Sequence, residues 1–243
     1  MLRGRMVLRG IRSLMAVRSA RLADRNRALQ GYDHGVTNAR EQTVRPATAA
    51  DVKPLAAVMS RAFYDDPPFI WILPDPKTRL KRSRRFFTAL ARGEALARGG
   101  VDVALAGTEV TGAAIWRPPG HWETEQLRAV LGVVRALGRR TRAVAALARA
   151  MARAHPREPH WYLFAIGVDP AWQGAGVASA LLRSRLDQCD HDGLPAYLEA
   201  SKAASVPLYQ HFGFEPTENP DLPDGAPPLT AMWRAAAAAP PTI

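Results

Sequence analysis

The run GVDPAWQGAGVASALL, residues 167–182, carries Gly174, Ala175, Gly176, Val177, Ala178 and Ser179 in succession. Side chains this small give a helix little to pack, but they leave its first backbone N–H groups bare. Those groups have no intrahelical acceptor, and the aligned peptide dipoles make that end of a helix partly positive. A diphosphate satisfies such donors when no side chain blocks its approach. Gly174 and Gly176 permit both unusual backbone angles and close contact. Tight packing of a helix on a sheet also calls for small residues, so the glycine pair alone leaves both readings open.

Other reactive side chains are scattered. His121, His155, His160, His191 and His211 form no HExxH or other compact ligand set, and the single cysteine, Cys189, supplies neither a disulfide nor a multi-cysteine zinc site. No metal is expected. Nothing near Cys189 lowers its thiol pKa, so no covalent cysteine route is expected either. The stretch AFYDDPPFIWILPD sets Phe63, Tyr64, Phe69 and Trp71 beside Asp65 and Asp66. That is the composition of an apolar wall with acidic groups that attract an ammonium. Core packing and a helix-end cap account for the same residues.

Composition sets the bounds within which these groups must be positioned. A chain of 243 residues suits one large domain, or a domain of about 200 residues with an extension. A hydrophobic content of 47%, with six Trp, seven Phe and five Tyr, argues against disorder. No apolar run nears the ~18 residues that span a bilayer, and a lone cysteine fits a reducing compartment. The expectation is a soluble, cytoplasmic protein. The formal charge is +11, but residues 1–45 hold ten Arg against Asp24, Asp33 and Glu41 and so carry +7 of it. A basic patch confined to a terminal extension is not a groove-reading domain, so no specific nucleic-acid partner is expected. Residues 1–40 read as a flexible basic tail. Their Leu, Met, Ile and Val, interleaved with Arg, also permit an amphipathic helix with weak membrane or polyanion contact. The apolar stretch is too interrupted for a secretory signal.

Periodicity supplies the elements. Residues 41–45 alternate as a short strand. Thr48 and Asp51 signal a helix start before VKPLAAVMSRAFYDD, Pro67-Pro68 stop it, and FIWILPDP reads as an aromatic loop. Pro76 opens a second helix, in which Leu80, Phe86, Phe87 and Leu90 pack while Arg and Lys face water. Residues 101–105 and 110–116 make two strands joined by a turn at Gly107. Residues 122–154 read as a long helical scaffold broken near Gly138. HWYLFAIGV is a buried central strand, DPAWQ turns the chain, and a helix from 174 to about 190 turns Val177, Leu181, Leu182 and Leu186 inward. PAYLEA, SVPLYQHF and PPLTAMWRA follow as strand, short helix and closing strand, and residues 235–243 as a frayed tail. The fold class is α/β, a mixed sheet with helices on both faces.

The motif Gln173-x-x-Gly176-x-Ala178 follows the strand Ile166-Gly167-Val168 and the turn Asp169-Pro170. It resembles the coenzyme A signature of the GNAT acyltransferase superfamily: Gln or Arg, two residues, Gly, one residue, Gly or Ala. YLEAS and LYQHFGF resemble that family's next strand, helix and aromatic ending. Weaker agreement in AFYDDP and AAIWRPP extends the resemblance over a domain of residues 41–234. Within the superfamily the chain is similar to puromycin N-acetyltransferase and related small-molecule acetyltransferases.

The resemblance implies a central sheet with splayed strands and a defined division of labour. Backbone groups of Ile166 and Val168, flanking Gly167, would pair with the pantetheine arm of acetyl-CoA. Amides of Gln173, Gly174, Ala175, Gly176, Val177 and Ala178, with Ser179 nearby, would hold its pyrophosphate without a metal. Tyr209, with Gly213 and Phe214 in register, is implied as the acid that protonates the departing thiolate; a phenol with pKa near 10 has a proton to give. Packing of the short helix is the alternative role for its ring. Glu199 matches the glutamate of the puromycin enzyme's FLE segment and would accept the amine proton, directly or through water; a solvated strand-end carboxylate is the alternative. Where the family often has Asn, four residues before Tyr209, this chain has Ser205, a shorter group with fewer bonds to offer the cofactor.

The implied function is direct transfer of an acetyl group from acetyl-CoA to a primary amine of a small molecule, such as a xenobiotic or antibiotic. A catalytically degenerate acyl-CoA sensor or adaptor is the alternative. A dinucleotide-binding unit fits less well, because Ser179 stands at the third glycine position and DPAWQ separates strand from glycines.

Overall fold

The computed structural model describes residues 42–92, 96, 98–120 and 141–236. The basic stretch 1–40, the first part of the long scaffold helix with Gly138, and the last seven residues of the tail lie outside the described residues. Strand β1 (Gln42–Pro46) leads into helix α1 (Val52–Ala62). The Thr48 N–H and hydroxyl both donate to Asp51 Oδ2 at 2.7 Å, and Arg45 grips the same carboxylate, so the signalled helix start is locked from three sides. Next come α2 (Pro67–Ile72), α3 (Pro76–Arg92), β2 (Val101–Ala106), β3 (Glu109–Arg117) and α4 (Thr141–Ala154). The second half runs β4 (Trp161–Val168), α5 (Val177–His191), β5 (Ala196–Ala200), α6 (Val206–His211), β6 (Glu215–Pro216) and β7 (Thr230–Arg234).

Among the described residues the strands form one seven-stranded sheet in the order β1-β2-β3-β4-β5-β7-β6. Only β4 and β5 run parallel; the other neighbours are antiparallel. Each face carries its own apolar layer. On one, Val103, Ala113, Ile115 and Ala165 share a core with Leu55 and Met59 of α1 and Phe87 and Leu90 of α3. On the other, Ala104, Trp116, Leu163, Leu198 and Met232 share a core with Val177, Leu181, Leu182 and Leu186 of α5. Arg185 ties α5 to the sheet: its Nη2 donates to Asp102 Oδ2 and to Gly99 O, each at 2.8 Å.

Three expectations need correction. FIWILPDP is not a loop throughout, because α2 occupies residues 67–72. Pro67 and Pro68 fill the first helical positions, where a missing N–H costs nothing, so they start a helix as well as ending one. Leu80 is 39% exposed and does not pack with Phe87 and Leu90. The glycines 174 and 176 precede α5 rather than opening it: both have left-handed backbone, with φ of 80° and 79°, and the helix begins at Val177.

Candidate active site

The centre of the sheet opens at one residue. β3 and β4 pair as Ile115↔Ala165 and then Trp116↔Leu163, so Phe164 is an extra residue, a β-bulge. On its other side β4 pairs with β5 only through Leu163↔Leu198. A bulge bends the strand that carries it, and beyond Phe164 strand β4 follows β3 and leaves β5. The Asp169 N–H donates to Thr111 O at 2.8 Å. Alternation along an antiparallel pair then turns the backbone groups of Gly167 toward β3 and those of Ile166 and Val168 toward the open edge. Gly167 has a packing reason of its own: a Cβ there would meet Met59 Sδ at 2.8 Å and Ala62 Cβ at 3.0 Å, so glycine lets α1 close on the strand.

The turn after β4 is pinned by Asp169. Its carboxylate accepts from the Ala171 N–H at 3.1 Å and from Arg61 Nε at 2.9 Å, with Arg61 Nη2 on the same oxygen. Gln173, Gly174, Ala175 and Gly176 are exposed. A Cβ at Gly174 or Gly176 would meet nothing within 4 Å, so the glycines answer a backbone angle and leave the approach clear. The first helical bond of α5 is Ala180 N–H to Gly176 O at 3.0 Å, which leaves the amides of Val177, Ala178 and Ser179 without intrahelical acceptors. These features fit an anionic group followed by an extended arm. One member of the expected set is less available, and another offers its backbone alone. The Ala175 N–H already donates to Trp172 O at 3.3 Å, and the Val177 side chain is buried in the core, so only its backbone faces the loop.

The open edge borders a cavity of about 530 Å³. Ile166, Gly167, Val168, Gln173, Ala178, Ser205, Tyr209 and Glu199 line it; Gly174, Ala175, Gly176, Val177 and Ser179 do not. Tyr209 is 8% exposed, and burial, reinforced by the Asp66 carboxylate, pushes its phenol up to about 12. Its proton is therefore retained across the neutral range. Ser205 precedes α6, and its hydroxyl makes no capping bond. Glu199 is half-buried, with Oε1 wholly enclosed. Burial pushes its carboxyl up, the Tyr162 and Tyr197 hydroxyls and the Arg117 charge pull it back, and it comes to about 7.

The remaining wall is apolar. Phe63, Phe69, Phe86 and Phe87 form a ring cluster with centroids 5.2–5.5 Å apart. Val144, Leu147 and Met151 of α4 close the cavity beside Tyr162 and Phe164. The acidic pair divides. Asp65 turns outward to Lys202 Nζ at 2.7 Å, whereas Asp66 is buried, lines the cavity and accepts from Ser201 Oγ. Tyr64 and Trp71 are not part of the lining. Cys189 is buried away from the cavity, and burial pushes its thiol up to about 12.

The model of the acetyltransferase (GNAT) family matches residues 65–214. The chain belongs to the GNAT family. A solved Corynebacterium glutamicum structure described as histone acetyltransferase HPA2 and related acetyltransferase is similar over 82% of this chain and 98% of that one, with 30% identity and a TM-score of 0.65. Curated relatives match over shorter stretches. An uncharacterized N-acetyltransferase of Schizosaccharomyces pombe is 44% identical over 59 residues, 24% of each chain. An L-amino acid N-acetyltransferase of Escherichia coli is 36% identical over 64 residues, 25% of this chain and 40% of that one. The chain thus spans less than half the length of the curated relatives it matches.

The GNAT signature drew attention to the loop and to Tyr209 and Glu199, but not to everything the cavity gathers. Asp66 stands out beside the aromatic stretch, and Arg117 and Ser201 lie within AAIWRPP and YLEAS with no role implied for them; Tyr162 and the α4 wall carry no local motif. The α4 residues in particular follow an ordinary helical period, which gives an apolar face without saying whether core or cavity lies against it.

Proposed function

We propose that this GNAT protein is an acetyl-CoA-dependent N-acetyltransferase that acylates a primary amine of a small, partly apolar molecule by direct transfer. One observation carries the reading: a single cavity is bordered by the open β4 edge, Tyr209, Ser205, Glu199 and a four-phenylalanine wall. The Ile166 and Val168 backbone groups and the amides of Val177, Ala178 and Ser179 bind the coenzyme. When bound, it supplies an acyl group already activated as a thioester. The protein's task is then to position the amine and manage two protons.

Glu199, at about 7, is ionised from neutral pH upward and accepts the amine proton. Tyr209 Oη holds a proton for the departing sulfur. Asp66, enclosed in the wall, favours a cationic acceptor. The residues at 41–234 form the acyltransferase domain, and the basic stretch 1–40 lies outside it as an extension.

The test is calorimetric titration with acetyl-CoA, using NAD as the control ligand, followed by an amine screen with thiol detection. Saturable binding of acetyl-CoA alone, with thiol released only when an amine is present, supports the reading. Binding without transfer to any amine favours the acyl-CoA sensor, and no binding by folded protein overturns both.

A further inference from the structure

Beneath Glu199 the sheet carries a polar row that the two proton transfers do not employ. Register sets Arg117 of β3 opposite Tyr162 of β4, Tyr162 opposite Tyr197 of β5, and Tyr197 opposite Trp233 of β7. Side chains alternate along a strand, so Glu199, two residues past Tyr197, stands on the same face. The Tyr162 and Tyr197 ring centroids are 5.8 Å apart. The Arg117 guanidinium lies 4.3 Å from the Phe164 ring centroid and 5.8 Å from that of Tyr162.

Behind the row, His155 of α4 and His160 stand edge-on to the same phenols, with centroids 4.9 Å (His155–Tyr162) and 5.6 Å (His160–Tyr197) apart. His160 Nδ1 lies 2.6 Å from Glu158 O and donates to it, so its Nε2 accepts from His155 Nε2 at 3.1 Å. That contact requires at least one neutral ring, and burial lowers the pKa of both imidazoles. Among the described residues, Arg117 and the two phenols act on Glu199, the histidines stand behind them, and Asp66, Lys202 and Tyr209 share the cavity lining.

Two atoms of this assembly complement each other. Tyr197 Oη and Glu199 Oε1 are both buried and make no hydrogen bond of normal geometry as the side chains stand, although the phenol is near enough to the carboxyl to lower its pKa. A buried hydroxyl left alone is costly, and an ionised carboxylate oxygen only accepts. We infer that Tyr162 and Tyr197 are positioning residues for Glu199: their hydroxyls hold the ionised carboxylate and set the pH at which it becomes a base. The inference rests on the reading of Glu199 as the base. Burial without these donors leaves a carboxyl protonated and unable to accept a proton. With them, and with Arg117 supplying the one positive charge of the row, ionisation falls near neutrality.

The test removes one hydroxyl at a time. Tyr197→Phe and Tyr162→Phe keep the ring and its packing. Each is expected to move the acid limb of the kcat/KM–pH profile upward by about 0.5–1 pH unit. The ¹³C-carboxyl titration of Glu199, followed by NMR in the protein without substrates, is expected to move with it. A role in packing alone changes thermal stability and leaves that titration in place. An unmoved Glu199 titration in both variants overturns the inference. Glu199→Gln keeps the two failures apart. If the wild-type acid limb survives in that variant, the base reading falls, and the NMR titration still decides whether the phenols hold the carboxylate. If the limb disappears while the tyrosine variants titrate like wild type, only this inference falls.

Discussion

Tyr209 and Glu199 face one cavity, and their surroundings suit them to the opposite proton tasks proposed for them. The phenol, raised by burial and by Asp66, keeps its proton; the carboxyl, raised by burial but restrained by its neighbours, gives up its own near pH 7. Tyr209→Phe is expected to lower turnover about 100-fold, the ordinary scale of a lost general acid, in a steady-state thiol-release assay. Wild-type kcat/KM is expected to rise with pH and level off above about 7, and Glu199→Gln to remove that limb along with most of the rate. The acidic pair gives a matched control. Asp66→Asn is expected to raise the acceptor KM about tenfold, the effect of losing one enclosed charge contact. Asp65→Asn, at an exposed carboxylate outside the lining that only meets Lys202 at the cavity rim, is expected to leave it unchanged. Equal effects of the two would refute Asp66 as the acceptor's anchor.

At the scale of elements, the proposed coenzyme loop depends on how closely α5 sits on β3. A Cβ added at Gly112 would come within 2.7 Å of Val177 Cγ1 and 3.2 Å of both Gly167 O and Leu181 Cδ1. Gly112→Ala therefore pushes the first turn of α5 off the sheet, an overpacking that costs about 1–3 kcal/mol. Two measurable losses are expected together: a fall in Tm of about 3–10 °C and weaker acetyl-CoA binding. Gly107→Ala strains only a hairpin turn, with φ of 61° and no crowding atom, and is expected to leave affinity intact. A Gly112→Ala protein with lowered Tm but normal acetyl-CoA affinity would uncouple helix seating from the loop. The bulge at Phe164 belongs to this scale too. It separates β4 from β5 at the level of Glu199, and it is encoded by no residue that a strand pattern singles out.

For the whole molecule, two buried groups pull stability in opposite directions with pH. His155 is lowered to about 3, by burial first and then by His160 and Arg117. The unfolded chain therefore binds the extra proton between about 6.5 and 3, and His155's contribution, complete above 6.5, is lost as the pH falls. Glu199 is raised to about 7, so the folded state binds the extra proton between about 4.5 and 7, and stability grows as the pH falls through that window. Between pH 7 and 5 the two trends offset each other in the wild type. Glu199→Gln removes one of them. Its unfolding free energy, measured by denaturant titration, is expected to drop about 1–2 kcal/mol more than the wild type's over that interval. Parallel pH curves for the two proteins would show that Glu199 titrates as an ordinary exposed carboxyl.

The proposed binding loop, acid and base could be picked out in the amino-acid sequence because each belongs to a short local pattern. The Gln173–Ala178 spacing, the strand YLEA and the segment LYQHFGF lie within about four dozen residues. Left-handed glycines and a helix start are decisions that the local chain makes for itself. The alternation and helical spacing of apolar residues likewise gave the strands and helices of the core, but they misread Pro67–Ile72, the face of Leu80 and the start of α5, and did not show the two-residue β6. Tertiary structure alone decided the rest. Arg117, Tyr162 and Tyr197 come from three strands and meet only because the sheet aligns them in one row. The helix α4 borders a cavity only because β4 and β5 part beneath it. Periodicity records which side of an element is apolar; it holds no record of what lies across from that side, and the surroundings of Glu199 are set there.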